Sequence, residues 1–219
     1  MFTLFMFSSF GIFIALFSCV WLFLAGLGIV RQVKRGGRVN WRVVISGLFL
    51  MVGAGGFFAA GLSATGVITL PESFEWPSGY VRGVVQTQDS KYVVPHIPAG
   101  RVQLYDAQWH FIRGWHVDAS GGDFTVACLP DGEIVVFTAR GHQRLSFTEN
   151  GRLTLATTLP ESFVRPQPGR SIVVPTSPLL WIFSSPFLSW GVALIGMAGL
   201  WAARKFSWGK NRETQDQLI

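Results

Sequence analysis

Charge is what this chain has least of. Asp, Glu, Lys and Arg make up 14% of its 219 residues and hydrophobic residues 49%, whereas a soluble domain carries roughly 25% charged residues. The shortage is concentrated. Residues 1–30, 43–71 and 171–203 hold no charged residue. A spanning helix needs about 20 apolar residues, so each stretch is long enough to cross a membrane, with helices placed near 4–29, 44–68 and 179–202. These stretches also lack histidine. Ion pathways, proton relays and voltage sensors place ionisable groups at membrane depth, which argues against a pump or transporter formed by this chain alone. Cysteine is nearly absent. Cys19 falls in a span and Cys128 outside the membrane, so no internal disulfide is expected, and Cys128 reads as a buried thiol. No Lys or Arg precedes Leu16-Phe17-Ser18-Cys19. The basic n-region of a signal peptide is therefore missing, and the first stretch reads as an uncleaved span.

The few charges are placed with a bias. Arg31, Lys34, Arg35, Arg38 and Arg42 lie between the first two spans with no acid among them, and Arg204, Lys205, Lys210 and Arg212 follow the third with Glu213 and Asp216. Basic residues near membrane ends stay on the cytoplasmic side. The expected order is a helix in 1–30, a cytoplasmic basic loop at 31–42, a helix in 43–70, an extracytoplasmic domain at 71–176, a helix in 177–203 and a cytoplasmic tail at 204–219. The N-terminus and residues 71–176 are expected outside, in the periplasm if the membrane is a bacterial inner membrane. Nine basic and two acidic residues lie inside, against nine and ten outside. The net charge of +6 is thus an orientation signal, able to attract anionic lipid headgroups, and not a nucleic-acid footprint.

Trp41, Trp181, Trp201 and Trp208 stand near the expected membrane surfaces, as an aromatic belt would. Ser177-Pro178 reads as an N-cap followed by a first-turn proline, and Pro186 as a kink in the third helix. The second span carries small residues four apart, Gly55 with Ala59, Gly56 with Ala60, and Ala60 with Ala64. That spacing lets another helix approach closely, from this chain or a partner. "GLSA" at Gly61–Ala64 has no final glycine and no histidine at membrane depth to activate Ser63, which excludes an intramembrane serine protease.

Residues 72–176 change character. Short β-branched and aromatic runs such as "YVRGVVQ", "RVQLYD", "EIVVFTA" and "RLTLATT" alternate with turns at Asp89-Ser90, Pro130-Asp131-Gly132 and Asn150-Gly151, an all-β pattern. The pattern also repeats. Val93-Val94 match Val135-Val136, Arg101 matches Arg144 and Asp106 matches Glu149, at an offset of 42 to 43. A unit of that length with four strands is a β-propeller blade. Thr-Leu-Pro-Glu-Ser-Phe occurs at 69–74 and again at 158–163. Its two copies read as boundaries of successive blades, at about 77–117 and 120–160, with a third unit beginning after Pro160. Two blades and a fraction cannot close a ring, and the apolar faces left open would mark partner surfaces. Three copies in one ring, a different covering partner, or a self-contained sandwich would each resolve this.

"FEWPSG" at 74–79, "AGRVQLYDAQWHFIRGW" at 99–115 and "LPDGEIVVFTARGHQRLSFTENGRL" at 129–153 resemble NHL repeats. Asp131-Gly132 and Asn150-Gly151 stand at the turns, and His142-Gln143-Arg144 near the family's Asn-x-Arg. The chain departs by lacking the Ala-Asp after the second strand and most turn glycines of the first unit. The resemblance implies a propeller-like interaction platform.

No catalytic, metal or cofactor motif appears. His96, His110, His116 and His142 have no ligand spacing. His110 and His116 are expected on one strand face, and Asp118, Asp123, Asp131 and Glu133 at turns. The expected function is a non-enzymatic, three-span membrane subunit whose extracytoplasmic β domain assembles with other membrane protein chains, as a homo-oligomer or a hetero-complex. It needs no cofactor. The alternative is a receptor or sensor binding a small ligand or glycan.

Overall fold

Uncharged sequence becomes helix, and alternating sequence becomes sheet. A computed structural model describes residues 40–216, with side chains through residue 203. The expected span at 4–29 and Arg31, Lys34, Arg35 and Arg38 lie outside the described residues. Helix α1 runs Trp41–Ala64 and helix α2 runs Pro186–Asp216. Trp41–Ala64 and Pro186–Ala203 are long and apolar enough to cross a membrane. Asn40 caps α1, its side-chain oxygen accepting the Arg42 N–H at 3.1 Å.

Helix boundaries differ from expectation, and α2 continues to Asp216, past the expected end near 202. The helix expected at 44–68 closes at Ala64, because Gly66 takes φ +72, the left-handed conformation that ends helices. Pro186 does not kink a longer helix. Ser177-Pro178 open a separate 3-10 turn at Pro178–Phe183, with no side-chain cap bond from Ser177. Pro186 is instead the first residue of α2, where its missing N–H costs nothing.

The chain divides into two compact units, one formed up to Ala54 and from Gly191 onward, the other by Gly55–Trp190. In the first, α1 and α2 pack at van der Waals distance. A Cβ on Gly196 would collide with Ser46 O and Leu50 N, and one on Gly199 with the Ser46 hydroxyl. Two glycines on α2 thus give α1 its close approach.

The second unit holds two antiparallel sheets. Strands β1 (Tyr80–Gln86), β2 (Tyr92–His96), β3 (Arg101–Tyr105) and β4 (Phe111–His116) form one, with β9 (Arg170–Val173) added beside β1. Strands β5 (Phe124–Cys128), β6 (Ile134–Thr138), β7 (Gln143–Phe147) and β8 (Leu153–Thr158) form the other. The two sheets repeat one another at 42 residues. Thr87 N donates to Lys91 O as Leu129 N does to Glu133 O; Trp109 N donates to Asp106 O as Gly151 N does to Thr148 O; Val117 N donates to Gly100 O as Leu159 N does to His142 O. Positive φ recurs at the same spacing, at Ser90 and Gly132, Gly100 and His142, and Trp109 and Gly151. The bulge after Leu104 recurs after Ser146. The uniform period corrects the sequence alignment: Arg101 corresponds to Gln143 rather than Arg144, and Asp106 to Thr148 rather than Glu149.

The period also tells how the sheets stack. The core between them joins Val93, Val102, Leu104 and Trp115 of the first sheet to Val126, Ile134, Val136, Leu145 and Phe147 of the second. Shifted back by 42, the second set falls on Val84, Tyr92, Val94, Gln103 and Tyr105, all on the opposite face of the first sheet. The near face of one sheet therefore meets the equivalent of the far face of the other. This is the same-sense stacking of consecutive propeller blades, not the mirror-like packing of a two-sheet sandwich.

Same-sense stacking leaves two end faces: the far face of the first sheet holds the apolar cluster of Val81, Val84, Val94 and Tyr105, and the outer face of the second mixes Val135, Phe137 and Leu155 with polar residues. The positions that bury Val102, Leu104 and Trp115 in the first sheet are Arg144, Ser146 and Thr157 in the second. The third unit also differs. Strand β9 does not open a new sheet but returns to the first, pairing Tyr80 with Val173 and Val81 with Ile172.

The contrast is measurable. Leu104→Ala should lower unfolding stability by about 2–5 kcal/mol. The equivalent change, Ser146→Ala, should stay within about 0.5 kcal/mol, because it deletes a hydroxyl that already lacks a partner. Denaturant titration of both variants in detergent checks the pair.

Candidate functional site

A backbone that crosses a sheet face must have its carbonyls and N–H groups satisfied. Alternation along β3 puts Arg101, Gln103 and Tyr105 on the far face of the first sheet, beneath the segment from Leu70 to Gly79. Arg101 is 1% exposed. Its guanidinium donates to Leu70 O at 3.2 Å, Pro71 O at 2.7 Å and Phe74 O at 2.8 Å. Gln103 engages Trp76 twice, accepting its N–H at 2.5 Å and donating to its carbonyl at 3.0 Å. Tyr105 donates to Glu75 at 3.0 Å, and burial and that carboxylate push its hydroxyl well above the usual phenol range. Gly114 N, on the outer side of β4, donates to Glu72 O at 2.9 Å. Residues 70–79 thus form a strap that closes both the far face and the β4 edge. The equivalent rung of the second sheet is Gln143, Leu145 and Phe147, which packs on a sheet and needs no such donors.

The two Thr-Leu-Pro-Glu-Ser-Phe segments fold alike, each closing a turn from the Phe N–H to the Pro carbonyl, at 3.1 Å for Phe74 and 2.9 Å for Phe163. They serve different surfaces. Phe74 packs edge-on to Trp76, whereas Phe163 stacks on Phe137 of the second sheet. They are not blade boundaries in register, since their spacing of 89 is not twice 42.

Further bonds reach the 3-10 turn and the end of α1. Trp76 Nε1 donates to Phe183 O at 2.8 Å, and the Ser63 hydroxyl donates to Ala99 O at 2.8 Å. Ala60 packs with Trp76 and Ala99. A Cβ on Gly56 would meet Ser189 and Phe183, and one on Gly100 would meet Ala64. The small residues Gly56, Ala60 and Ala64 are thus used within the chain. Ala59 packs at the margin of the Trp76 cluster, and Gly55 has no atom within 4 Å of its Cβ position. Arg42 lies in the first turn of α1, and Arg204 and Lys205 fall within α2.

The titratable residues do not converge. His96 is buried, 2% exposed, with its ring 5.6 Å from Trp76 and neither nitrogen hydrogen-bonded. Burial pushes its imidazole down to about 4. His116 is half-buried against Gly66, and burial lowers it too. His110 and His116 do not share a strand face, because β4 begins at Phe111 and His110 sits in the preceding turn on Asp106 at 2.9 Å. His142 is exposed in the β6–β7 turn. Cys128 is half-buried, and burial pushes its thiol up to about 11. Asp118 and Asp131 cap turns through Ser120 N and Glu133 N, and Asp123 pairs with Arg165. Asp89, Asp131, Glu133 and Glu149 line an open cavity of about 550 Å³. Its carboxylates are engaged: Lys91 lies 2.5 Å from Glu149 and 3.7 Å from Asp89, and Arg144 lies 3.5 Å from Glu133. Among the described residues, no three His, Cys, Asp or Glu side chains stand close enough to hold a metal.

Comparison with protein-family models finds no match, and neither does comparison with curated proteins. Among solved structures, the chain is similar to virginiamycin B lyase from Staphylococcus aureus, at 14% identity and a TM-score of 0.33, over 43% of this chain. It spans 31% of that protein's length.

His96 sets a pH dependence. Its folded pKa lies below the ordinary 6.5, so its contribution is complete above about pH 6.5 and is lost as pH falls toward 4. The shift corresponds to roughly 3 kcal/mol at the acid end. Melting at pH 7.5 and pH 4.5 should show a larger fall for the native chain than for His96→Leu.

Proposed function

We propose that the chain is a non-enzymatic, membrane-anchored subunit whose β domain docks another protein chain. Its three spans, at 4–29 and along α1 and α2, hold the domain outside, in the periplasm of a bacterial inner membrane. The charge bias that puts Arg31, Lys34, Arg35, Arg38 and Arg42 on one side of the first two spans supports that orientation.

One observation carries the docking reading. Strand β8, at the edge of the second sheet, is exposed at all six positions, with Leu153 and Leu155 about half exposed. An open, uncharged edge is a template for another chain.

The test is the mass of the particle extracted gently from its native membrane, by native mass spectrometry. A stoichiometric assembly above the 24.2 kDa of one chain is expected. A lone monomer whose melting temperature rises with a small ligand would support the sensor reading instead.

A further inference from the structure

We propose that the 3-10 turn Pro178–Phe183 is a lipid-surface anchor, lying at the outer headgroup boundary with Leu179, Leu180 and Trp181 against the acyl chains. This rests on the membrane-anchored reading above and adds to it a second, non-spanning contact with the bilayer.

The length of α2 sets the depth of the turn. The apolar part of the helix, Pro186–Ala203, has 18 residues. It ends at Arg204, the first charged residue after Arg170. At a rise of 1.5 Å per residue this part is about 27 Å long, slightly less than the roughly 30 Å of a hydrocarbon core. With Arg204 at the inner surface, Pro186 falls just short of the outer one. The turn is bonded to that end of the helix. The Ser189 hydroxyl, in the first turn of α2, donates to Ile182 O at 2.6 Å, and the Ser184 hydroxyl donates to Trp181 O at 2.7 Å. The turn therefore stays at the level where the hydrocarbon ends.

Its side chains suit that level. Leu179, Leu180 and Trp181 are 80%, 43% and 39% exposed, three consecutive apolar residues in a stretch with no charge from 171 to 203. Phe183 faces the protein instead, against the Cβ position of Gly56, and its carbonyl takes the Trp76 N–H. The Trp181 ring is oriented by its own N–H, which donates to Thr176 O at 3.2 Å. In water such a run is an exposed apolar patch. At the acyl boundary the same surface is buried, and a tryptophan with one polar edge is favoured there. Covalent continuity with α2 selects lipid as the occupant, because it fixes the turn at bilayer depth whatever else the domain binds.

Spin labels on the full chain test the depth, in vesicles of phosphatidylcholine and phosphatidylglycerol and a Cys19→Ser, Cys128→Ser background. Leu179→Cys and Leu180→Cys carry the label in turn, and each is read only with the native melting temperature retained. Leu194→Cys, near the middle of α2, reports the hydrocarbon core, and Gln108→Cys, in an exposed turn, reports water. The ratio of collisions with oxygen to collisions with a water-soluble nickel chelate should be about fivefold or more higher at residues 179 and 180 than at 108, and lower than at 194. If residue 194 reads as hydrocarbon while 179 and 180 read as 108 does, the lipid anchor is overturned and the spanning helix stands. Shielding of 179 and 180 from both oxygen and nickel also overturns it, because protein then covers the turn. If residue 194 does not read as hydrocarbon, the anchor and the membrane reading are both overturned.

Discussion

The β unit depends on one buried contact, the grip of Arg101, Gln103 and Tyr105 on the backbone of residues 70–79. Extended chain laid over a sheet exposes polar groups that cost about 1–3 kcal/mol each if left unpaired. Arg101 answers three carbonyls and Gln103 answers both polar groups of Trp76. Burying a guanidinium is tolerable because fixed carbonyl dipoles replace its water. With the strap in place, Trp76 can reach Phe183 and Ala60 can pack beneath it. The sheet, the strap, the end of α1 and the 3-10 turn thus meet around one rung of β3.

The repeat shows how one scaffold serves opposite ends. Positions 101, 103 and 105 are Arg, Gln and Tyr where a strap must be held; their equivalents at 143, 145 and 147 are Gln, Leu and Phe, where a sheet must be packed. The other face also differs, with Val102, Leu104 and Trp115 in the shared core where the equivalent positions of the second sheet are Arg144, Ser146 and Thr157. A pair of blades can therefore end without closing a ring. Closure through the far face of the first sheet would have to displace the strap, which leaves the second sheet and β8 as the open side.

Much of this was legible in the sequence. Charge-free stretches and period-two runs gave helices and strands, because burial in lipid and burial on one sheet face leave distinct patterns. The repeat was visible through Val93-Val94 and Val135-Val136, but its register was not. Matching arginines shifted it by one, and a one-residue slip turns every side chain to the other face. Backbone hydrogen bonds and positive φ hold the true period, and residue identity conceals it: Ser90 stands where Gly132 stands, and Trp109 where Gly151 does. The strap was missed for a related reason. Leu70–Gly79 has no periodicity of its own, and its bonds run to a strand about 30 residues later. Arg101 and Gln103 in an otherwise apolar run were the available signal, since buried polar residues in a strand need partners.

Amide hydrogen exchange on the membrane-embedded protein addresses the strap most directly. Bonded to Gln103 and Glu72, the amides of Trp76 and Gly114 should be protected as strongly as those of β3 and released together with them. Trp76 exchanging at the rate of an open loop while β3 stays protected would contradict the account, because the strap would then lie on the sheet without holding it.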